Sequence, residues 1–197
     1  MDPHRRASSK VYKRLAIEGQ SATQEKHVEL SDGTRVHVRP LRPTDEEALH
    51  DAFSRMSERS VYFRFFSPLK RLPEDLAHRL SHVDGEARFA LCATHRLGHE
   101  HSVEHIVGVA RYDRIPDTTV AEVALAVVDD FQRRGLGALL LSMLARVARE
   151  HGIDTFTLIV LPENQAMLRL LRRMGWIHQA RLHGGMYEIT FHLPAEA

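Results

Sequence analysis

The stretch that decides the fold runs from Val120 to Gly152 and reads VAEVALAVVDDFQRRGLGALLLSMLARVAREHG. Its first part, from Glu122 to Val128, consists mainly of aliphatic and small residues, which is typical of a buried strand. Further on, apolar residues recur three or four positions apart, as one face of a helix requires: Leu136, Leu139, Leu140, Met143, Leu144 and Val147. The stretch therefore predicts a strand, a tight turn and a helix that ends near Gly152.

The turn between this strand and helix has the composition of an anion-binding site. It contains two glycines and two arginines: Gly135, Gly137, Arg133 and Arg134. Glycine allows the backbone to approach a ligand closely, and the first amides of a helix lack intrahelical partners, so the expected ligand is a phosphate or pyrophosphate. The third glycine of a dinucleotide-binding motif is replaced by Leu140, and no Walker sequence is present. An ordinary strand–turn–helix joint would give the same pattern.

Two motifs together resemble the GNAT N-acetyltransferases. Gln132-x-x-Gly135-x-Gly137 after an apolar strand resembles their acetyl-CoA pyrophosphate loop. Leu161-Pro162-Glu163-Asn164, followed by MLRLLRRMGW, resembles the next motif of the family, a strand, an Asn, a short helix and a Gly-aromatic ending. The resemblance implies an α/β fold over about residues 34 to 193. We expect a single GNAT-type domain with a mixed, mostly antiparallel sheet of about six or seven strands, helices on both faces, and a splay at the central strand.

The same resemblance implies where acetyl-CoA binds. Leu125 and Val127 are expected to offer main-chain contacts to the pantetheine, and a backbone N–H near Val127 and Val128 to stabilise the oxyanion. The cofactor-binding turn is expected to consist of Gln132, Arg133, Arg134, Gly135, Leu136, Gly137 and Ala138. Asn164 matches an Asn that contacts the cofactor arm, and it also suits the N-cap of the helix that follows.

Strand alternation singles out Glu122 as a catalytic residue. It shares one face of the strand with Ala124, Ala126 and Val128, and these small neighbours leave room for a substrate. A glutamate that points into solvent or pairs with a surface arginine would give the same pattern. In the lysine acetyltransferases that the sequence resembles, a Glu at this place acts as general base, and we expect partial desolvation to strengthen Glu122 in that role.

No general acid is expected. Many enzymes of the family place a Tyr where this chain has Leu171. A thiol has a pKa of about 8.5, so coenzyme A leaves as a thiolate with little assistance.

Two further segments resemble a narrower branch, the bacterial protein lysine acetyltransferases that modify acyl-CoA synthetases. They are VRPLRPTDEEAL, residues 38–49, and SERSVYFRFFSPLKRL, residues 57–72. This resemblance implies acetyl transfer to a protein lysine by direct attack in a ternary complex, with an acyl-CoA synthetase as partner. Two alternatives stay open: an acetyltransferase for a small amine such as a polyamine, amino acid or drug, and a non-catalytic acyl-CoA-binding sensor module.

Three short helices are predicted ahead of the central strand, starting near Thr44, Glu58 and Pro73. Thr44 and Glu47 have the spacing of a capping box, and Pro73 suits a first helical turn. In the GNAT resemblance these helices form one wall of the acceptor site.

Composition limits the domain organisation and the partners. The chain has 197 residues, of which 43% are hydrophobic, enough for one domain, predicted as residues 27–197 after a flexible tail of residues 1–26. The formal net charge of +1 gives no argument for nucleic acid, and no apolar run could span a membrane. Cys92 is the only cysteine, and it reads as a buried strand position. No secretory signal is visible, so we expect a cytoplasmic monomer or homodimer.

No metal is expected. Four histidines, His95, His99, His101 and His105, lie at the junction of two predicted strands. Their spacing matches no structural zinc pattern and no cysteine accompanies them, so a solvated hairpin loop explains them better.

Overall fold

The computed structural model describes residues 24–96, 103–177 and 179–193. Most of the predicted N-terminal tail, together with His99 and His101, lies outside these ranges. The elements are β1 (Lys26–Glu29), β2 (Arg35–Pro40), α1 (Glu46–Ser54), α2 (Glu58–Phe65), α3 (Glu74–Ser81), β3 (Arg88–Arg96), β4 (Glu104–Arg114), β5 (Val120–Val127), α4 (Leu136–Glu150), β6 (Thr155–Val160), α5 (Gln165–Met174), β7 (Gln179–His183) and β8 (Met186–His192). Within the described part of the chain, no helix has the length and apolar character needed to cross a bilayer.

All eight strands belong to one sheet in the order β1-β2-β3-β4-β5-β6-β8-β7. Among the strands in the described residues only the β5–β6 pair is parallel, which confirms the predicted mixed and mostly antiparallel sheet. The prediction of about six or seven strands is too low. Both end hairpins are complete, because β1 pairs with β2 along its whole length and β7 does the same with β8.

The central strand separates from its parallel neighbour after a short contact, as predicted. β5 and β6 pair only from Val120 opposite Thr155 to Glu122 opposite Thr157. On its other side β5 stays paired with β4 as far as Val127, opposite Gly108. The sheet therefore opens on the β6 side of β5, and Glu122 lies where the opening begins.

Helices cover both faces of the sheet. On one face α4 buries most of its side chains against the strands, including Leu140 and Leu144, which are fully buried. Gly108 on β4 makes this contact possible, since a Cβ there would lie 3.0 Å from the Leu140 side chain. On the other face α1 to α3 form a second apolar cluster around Phe53 and Val61. This second cluster holds the short helices that face the opening in the sheet.

The predicted capping box at Thr44 and Glu47 is wrong. Residues 43–45 form a 3-10 turn, and the side chain of Asp45 accepts a hydrogen bond from the Arg42 amide at 2.7 Å. The same carboxylate accepts two hydrogen bonds, at 2.7 and 2.8 Å, from the buried guanidinium of Arg39 on β2. Burial alone would raise the pKa of Asp45, but these hydrogen bonds outweigh it and the pKa is lowered. Asp45 thus joins the start of the helical segment to the buried arginine of β2.

Candidate active site

A groove of about 930 Å³ lies in the opening between β5 and β6. The start of α4, the start of α5 and one side of α2 complete its walls. Nine of the twelve residues predicted for the site line it: Glu122, Leu125, Val127, Gln132, Arg133, Gly135, Gly137, Ala138 and Asn164. The predicted residues therefore line most of one side of the groove but very little of the opposite wall, which α2 provides.

Glu122 lies in the groove on the strand face that it shares with Ala124 and Ala126, both of which also line it. The small side chains leave open space beside the carboxylate, as the alternation predicts. The side chain itself is exposed, so the chain alone does not supply the predicted desolvation. Among the described residues no hydrogen bond or ion pair occupies the carboxylate, which leaves it accessible to an amine or a water molecule.

The backbone N–H groups of β5 point alternately toward β4 and toward the β6 side, where the sheet opens. Val128 N–H donates to the carbonyl of Val107 at 3.0 Å, and Val128 is buried. This overturns the expectation that the Val128 amide is free for an oxyanion. Adjacent residues in a strand direct their amides to opposite sides, so the Val127 and Leu125 amides point toward the opening. They are the main-chain donors that the groove presents past the end of the β5–β6 pairing.

The turn that leads into α4 has the backbone of an anion site. Arg133 and Gly135 both have positive φ, 62° and 89°, and no side chain caps the helix. The first amides of α4 therefore have no side-chain acceptor. Gly137 lies so close to the side chains of Leu125 and Leu170 that a Cβ would be 3.2 Å from each. These features suit a pyrophosphate held by backbone N–H groups at the positive end of a helix dipole.

Two residues of the predicted turn point elsewhere. The Arg134 guanidinium donates to Asp32 at 3.0 Å and to Thr34 at 3.2 Å, and it also lies over the Phe131 ring. It does not line the groove and instead fastens the turn to the β1–β2 hairpin. The side chain of Leu136 is buried in the core, so that residue can offer only its backbone amide.

Sequence reasoning missed a polar cluster that joins the end of β5 to the wall helix α2. Asp129 accepts hydrogen bonds from the Ser57 amide at 2.8 Å, the Ser57 hydroxyl at 2.7 Å and the Ser60 hydroxyl at 3.0 Å. Gln132 donates to Ser60 at 3.1 Å and to the Val127 carbonyl at 3.0 Å. Burial would raise the pKa of Asp129, but the hydrogen bonds from the two serines lower it overall. The sequence signals were Ser57 as a helix N-cap and an acidic pair directly after the strand.

Asn164 both caps α5 and lines the groove. Its side-chain oxygen accepts from the Met167 amide at 3.1 Å. Within the described ranges nothing accepts from its side-chain NH₂, which is therefore available to the cofactor arm. Leu171, at the place of the missing tyrosine, is fully buried, and no tyrosine appears among the described residues that line the groove.

Cys92 lies in the middle of β3 and is fully buried, as the sequence predicts. Burial raises the pKa of its thiol to about 12. A thiol held in this state is a poor nucleophile, and it does not line the groove. Cys92 is therefore unsuited to form an acyl-cysteine in the groove.

Metal-ligating side chains occur away from the groove. Glu46, His78 and His82 converge between α1 and α3, with the Glu46 carboxylate 2.8 Å from His78 Nδ1 and 3.3 Å from His82 Nδ1. Of the four histidines noted in the sequence, His95 pairs with the Arg35 carbonyl and His105 with Asp51, so these two do not share a ligand set.

Comparison with known proteins places this arrangement in a family. Residues 53–176 match the model of the acetyltransferase (GNAT) family. The chain is 32% identical over 150 residues to Acetyltransferase PA5475 of Pseudomonas aeruginosa, a match that covers 76% of this chain and 79% of that protein. It is 30% identical over 155 residues to Acetyltransferase Pat of Mycolicibacterium smegmatis, covering 77% of this chain but only 45% of Pat. The match thus spans less than half of that relative's length.

Among solved structures, the GNAT domain of S. lividans PAT superposes with a TM-score of 0.78 at 35% identity, covering 86% of this chain and 97% of that one. On the family match, these relatives and this shared fold, the chain belongs to the GNAT family and is an acetyl-CoA-dependent N-acetyltransferase.

Proposed function

We propose that this chain transfers the acetyl group of acetyl-CoA to the side-chain amine of a lysine on another protein. The observation that carries the proposal is the position of Glu122, whose exposed carboxylate lies on a face of small residues where β5 and β6 separate. A lysine side chain entering beside α2 would meet this carboxylate, and a thioester entering between the strands would meet the Val127 amide.

The reaction proceeds by direct attack. A lysine amine with a pKa of about 10.4 is almost wholly protonated at neutral pH, so a base must remove a proton before the nitrogen attacks. Glu122 accepts that proton, directly or through one water molecule. The amine nitrogen attacks the thioester carbon, and the Val127 amide stabilises the oxyanion. The carbon–sulfur bond then breaks, coenzyme A leaves as a thiolate, and the attacking nitrogen releases its second proton to the thiolate or to solvent. The first amides of α4, with Arg133 and Asn164, hold the pyrophosphate and the pantetheine arm of acetyl-CoA.

Several observations support a protein acceptor. On the α2 side the groove is lined by Phe66, which is 42% exposed and offers an apolar surface to a protein acceptor. The relatives named Pat and PAT, and the resemblance of residues 38–49 and 57–72 to the synthetase-modifying branch, make an acyl-CoA synthetase the first acceptor to test. A small amine needs a closed pocket with several polar groups around it.

The test is thiol release from acetyl-CoA with two acceptor sets, purified acyl-CoA synthetases and a panel of polyamines, amino acids and amine drugs. We expect transfer to a synthetase lysine, mapped by mass spectrometry, and its near loss in Glu122→Gln. Glu188→Gln, which removes an exposed carboxylate on β8, is the matched control. Transfer to small amines alone would overturn the protein acceptor, and tight acetyl-CoA binding without any transfer would favour a sensor module.

A further inference from the structure

Arg64 occupies an unusual place on the wall helix α2. It is partly buried, and it lines both the groove and a small cavity of about 60 Å³ behind it, between the short helices and the sheet. Ala124 and Ala126 of the central strand line both spaces as well. The guanidinium is therefore on the same side of the strand as the carboxylate of Glu122.

This guanidinium has no anionic partner. Across the described residues no carboxylate lies within ion-pair distance of Arg64 and no acceptor takes a hydrogen bond from it; its side chain lies 5.0 Å from the centre of the Phe65 ring. Arg111, which lines the cavity behind, is bound to Asp113 through two hydrogen bonds of 3.1 Å and to the Leu80 carbonyl. Buried guanidinium groups are normally paired, as Arg39 is with Asp45 here.

The charges around Arg64 do not neutralise it. Burial is the main reason that the pKa of Arg64 is lowered to about 10, and the charge of Arg111 adds to this effect. The carboxylates of Asp113 and Glu122 raise the pKa of Arg64, but both lie too far away to form an ion pair with it. A partly desolvated cation with these neighbours is a site for an external anion, since pairing would recover hydrogen bonds that the protein leaves unmade.

We propose that Arg64 forms an anion subsite for the acceptor, so that the groove takes an amine carried next to a carboxylate. On a protein this acceptor is a lysine with an aspartate or glutamate beside it. The proposal rests on the proposed function and adds a preference for an acidic residue next to the acceptor lysine. The amine meets the carboxylate of Glu122 while the neighbouring acid of the acceptor meets the guanidinium, so the two charges of the site match the two charges of the ligand. A polyamine would place a second cation against Arg64 instead.

The test uses capped pentapeptides with one lysine, in pairs that differ only by Glu or Gln directly before or after it. For wild type we expect kcat/KM to favour one Glu peptide over its Gln partner by about 10- to 100-fold, the range of a charge-assisted hydrogen bond. In Arg64→Gln this ratio should fall to about one, and Arg64→Lys should keep part of it. Arg71→Gln, at an exposed arginine that follows α2 and does not line the groove, is the matched control and should keep the ratio.

The peptide experiment distinguishes failure of the anion subsite from failure of the proposed function. Equal turnover of all paired peptides by wild type would overturn the anion subsite and leave the lysine acetyltransferase intact, even if the Arg64 variants failed to fold. Failure of wild type to acetylate any lysine peptide or synthetase would overturn the proposed function first. A large loss of acetyl-CoA affinity in Arg64→Gln would show that the guanidinium binds a cofactor phosphate, and this too would overturn the subsite.

Discussion

The two sides of the groove are built from different parts of the polypeptide. The side proposed for the cofactor presents backbone: the amides of residues 136–138 at the start of α4, and the outward amide of Val127. The side proposed for the acceptor presents side chains that α2 brings to the groove, above all Arg64, on the same side of the strand as Glu122. A backbone site is specified by local sequence, whereas a side-chain site depends on how distant elements pack.

The difference explains what each side can tolerate. Replacing a side chain on the cofactor turn leaves its amides in place, provided that the turn keeps its positive φ angles at Arg133 and Gly135. On the acceptor side, α2 is short, and besides its apolar contacts it is held at its N-terminus, where Asp129 binds two serines. We therefore expect substitutions there to lower kcat/KM for the acceptor and to leave the acetyl-CoA Kd nearly unchanged.

The largest expected effect comes from breaking the buried ion pair between Arg39 of β2 and Asp45, which lies at the start of α1. Asp45→Ala would leave the buried Arg39 guanidinium without its carboxylate and should lower the free energy of unfolding by about 3–5 kcal/mol. Denaturant unfolding measures this change. The control is Glu29→Ala, which removes an exposed ion pair with Arg35 and should cost less than about 1 kcal/mol. A similar loss in both variants would mean that the buried pair has no special role.

The next effect tests the backbone nature of the cofactor side. Gly135→Val would force a β-branched residue toward φ near 89° and displace the first amides of α4, so we expect acetyl-CoA to bind about 10-fold more weakly or worse. Calorimetric titration with acetyl-CoA gives the Kd. Gly85→Val has the same kind of strain, at φ 85° in a turn away from the groove, and should leave the Kd unchanged. Normal cofactor binding by the Gly135 variant would refute the assignment of this turn.

A smaller effect should show whether acceptor turnover and cofactor affinity change independently. Asp129→Asn weakens the contacts that hold α2, and we expect the acceptor kcat/KM to fall by about 10-fold while the acetyl-CoA Kd changes by less than about twofold. Asp130→Asn, at the adjacent exposed residue, serves as control. If the Asp129 variant loses cofactor affinity and acceptor turnover equally, the two sides are not independent.

The lowered pKa of Asp129 adds a pH dependence with a definite sign. A carboxylate whose folded pKa lies below its unfolded value stabilises the fold at higher pH and loses that contribution as pH falls through the folded pKa. The wild-type protein should therefore lose α2 contacts in acid, below the ordinary carboxyl range. The Asn variant should lack this part of the acid transition, as thermal unfolding from pH 7 downward would show.

The smallest effect concerns the two arginines of the turn. Arg133 lines the groove and Arg134 is bound to Asp32, so Arg133→Gln should weaken acetyl-CoA binding by about 5-fold and Arg134→Gln by less than about twofold. The reverse order of Kd values would mean that Arg134 leaves the hairpin to bind the cofactor.

The sequence predicted the local features of the site well. The alternation that places Glu122 with Ala124, and the glycines at 135 and 137, are contained in one continuous stretch, so periodicity and turn chemistry were sufficient. The sheet opening also followed from the family resemblance. All twelve predicted residues belong to this stretch or to the start of α5, and nine of them line the groove.

What the sequence could not predict depends on tertiary contacts. Arg134 and Arg133 are adjacent and chemically identical, and only the position of Asp32, about 100 residues earlier, directs one of them away from the groove. The Asp129 cluster and the helix start at Asp45 likewise depend on partners that packing brings together. The pairing of the Val128 amide with Val107 required the strand register, which the sequence does not specify.

The most direct test of the account is a single-turnover measurement with Glu122→Gln. Enzyme saturated with acetyl-CoA is mixed with the acceptor, the rate of acetyl transfer is followed by rapid quench, and the acetyl-CoA Kd is measured separately. We predict that the transfer rate falls by about 100-fold or more while the Kd stays within about twofold. A variant that transfers acetyl at nearly the wild-type rate would contradict Glu122 as the general base, and with it the role assigned to the opening in the sheet.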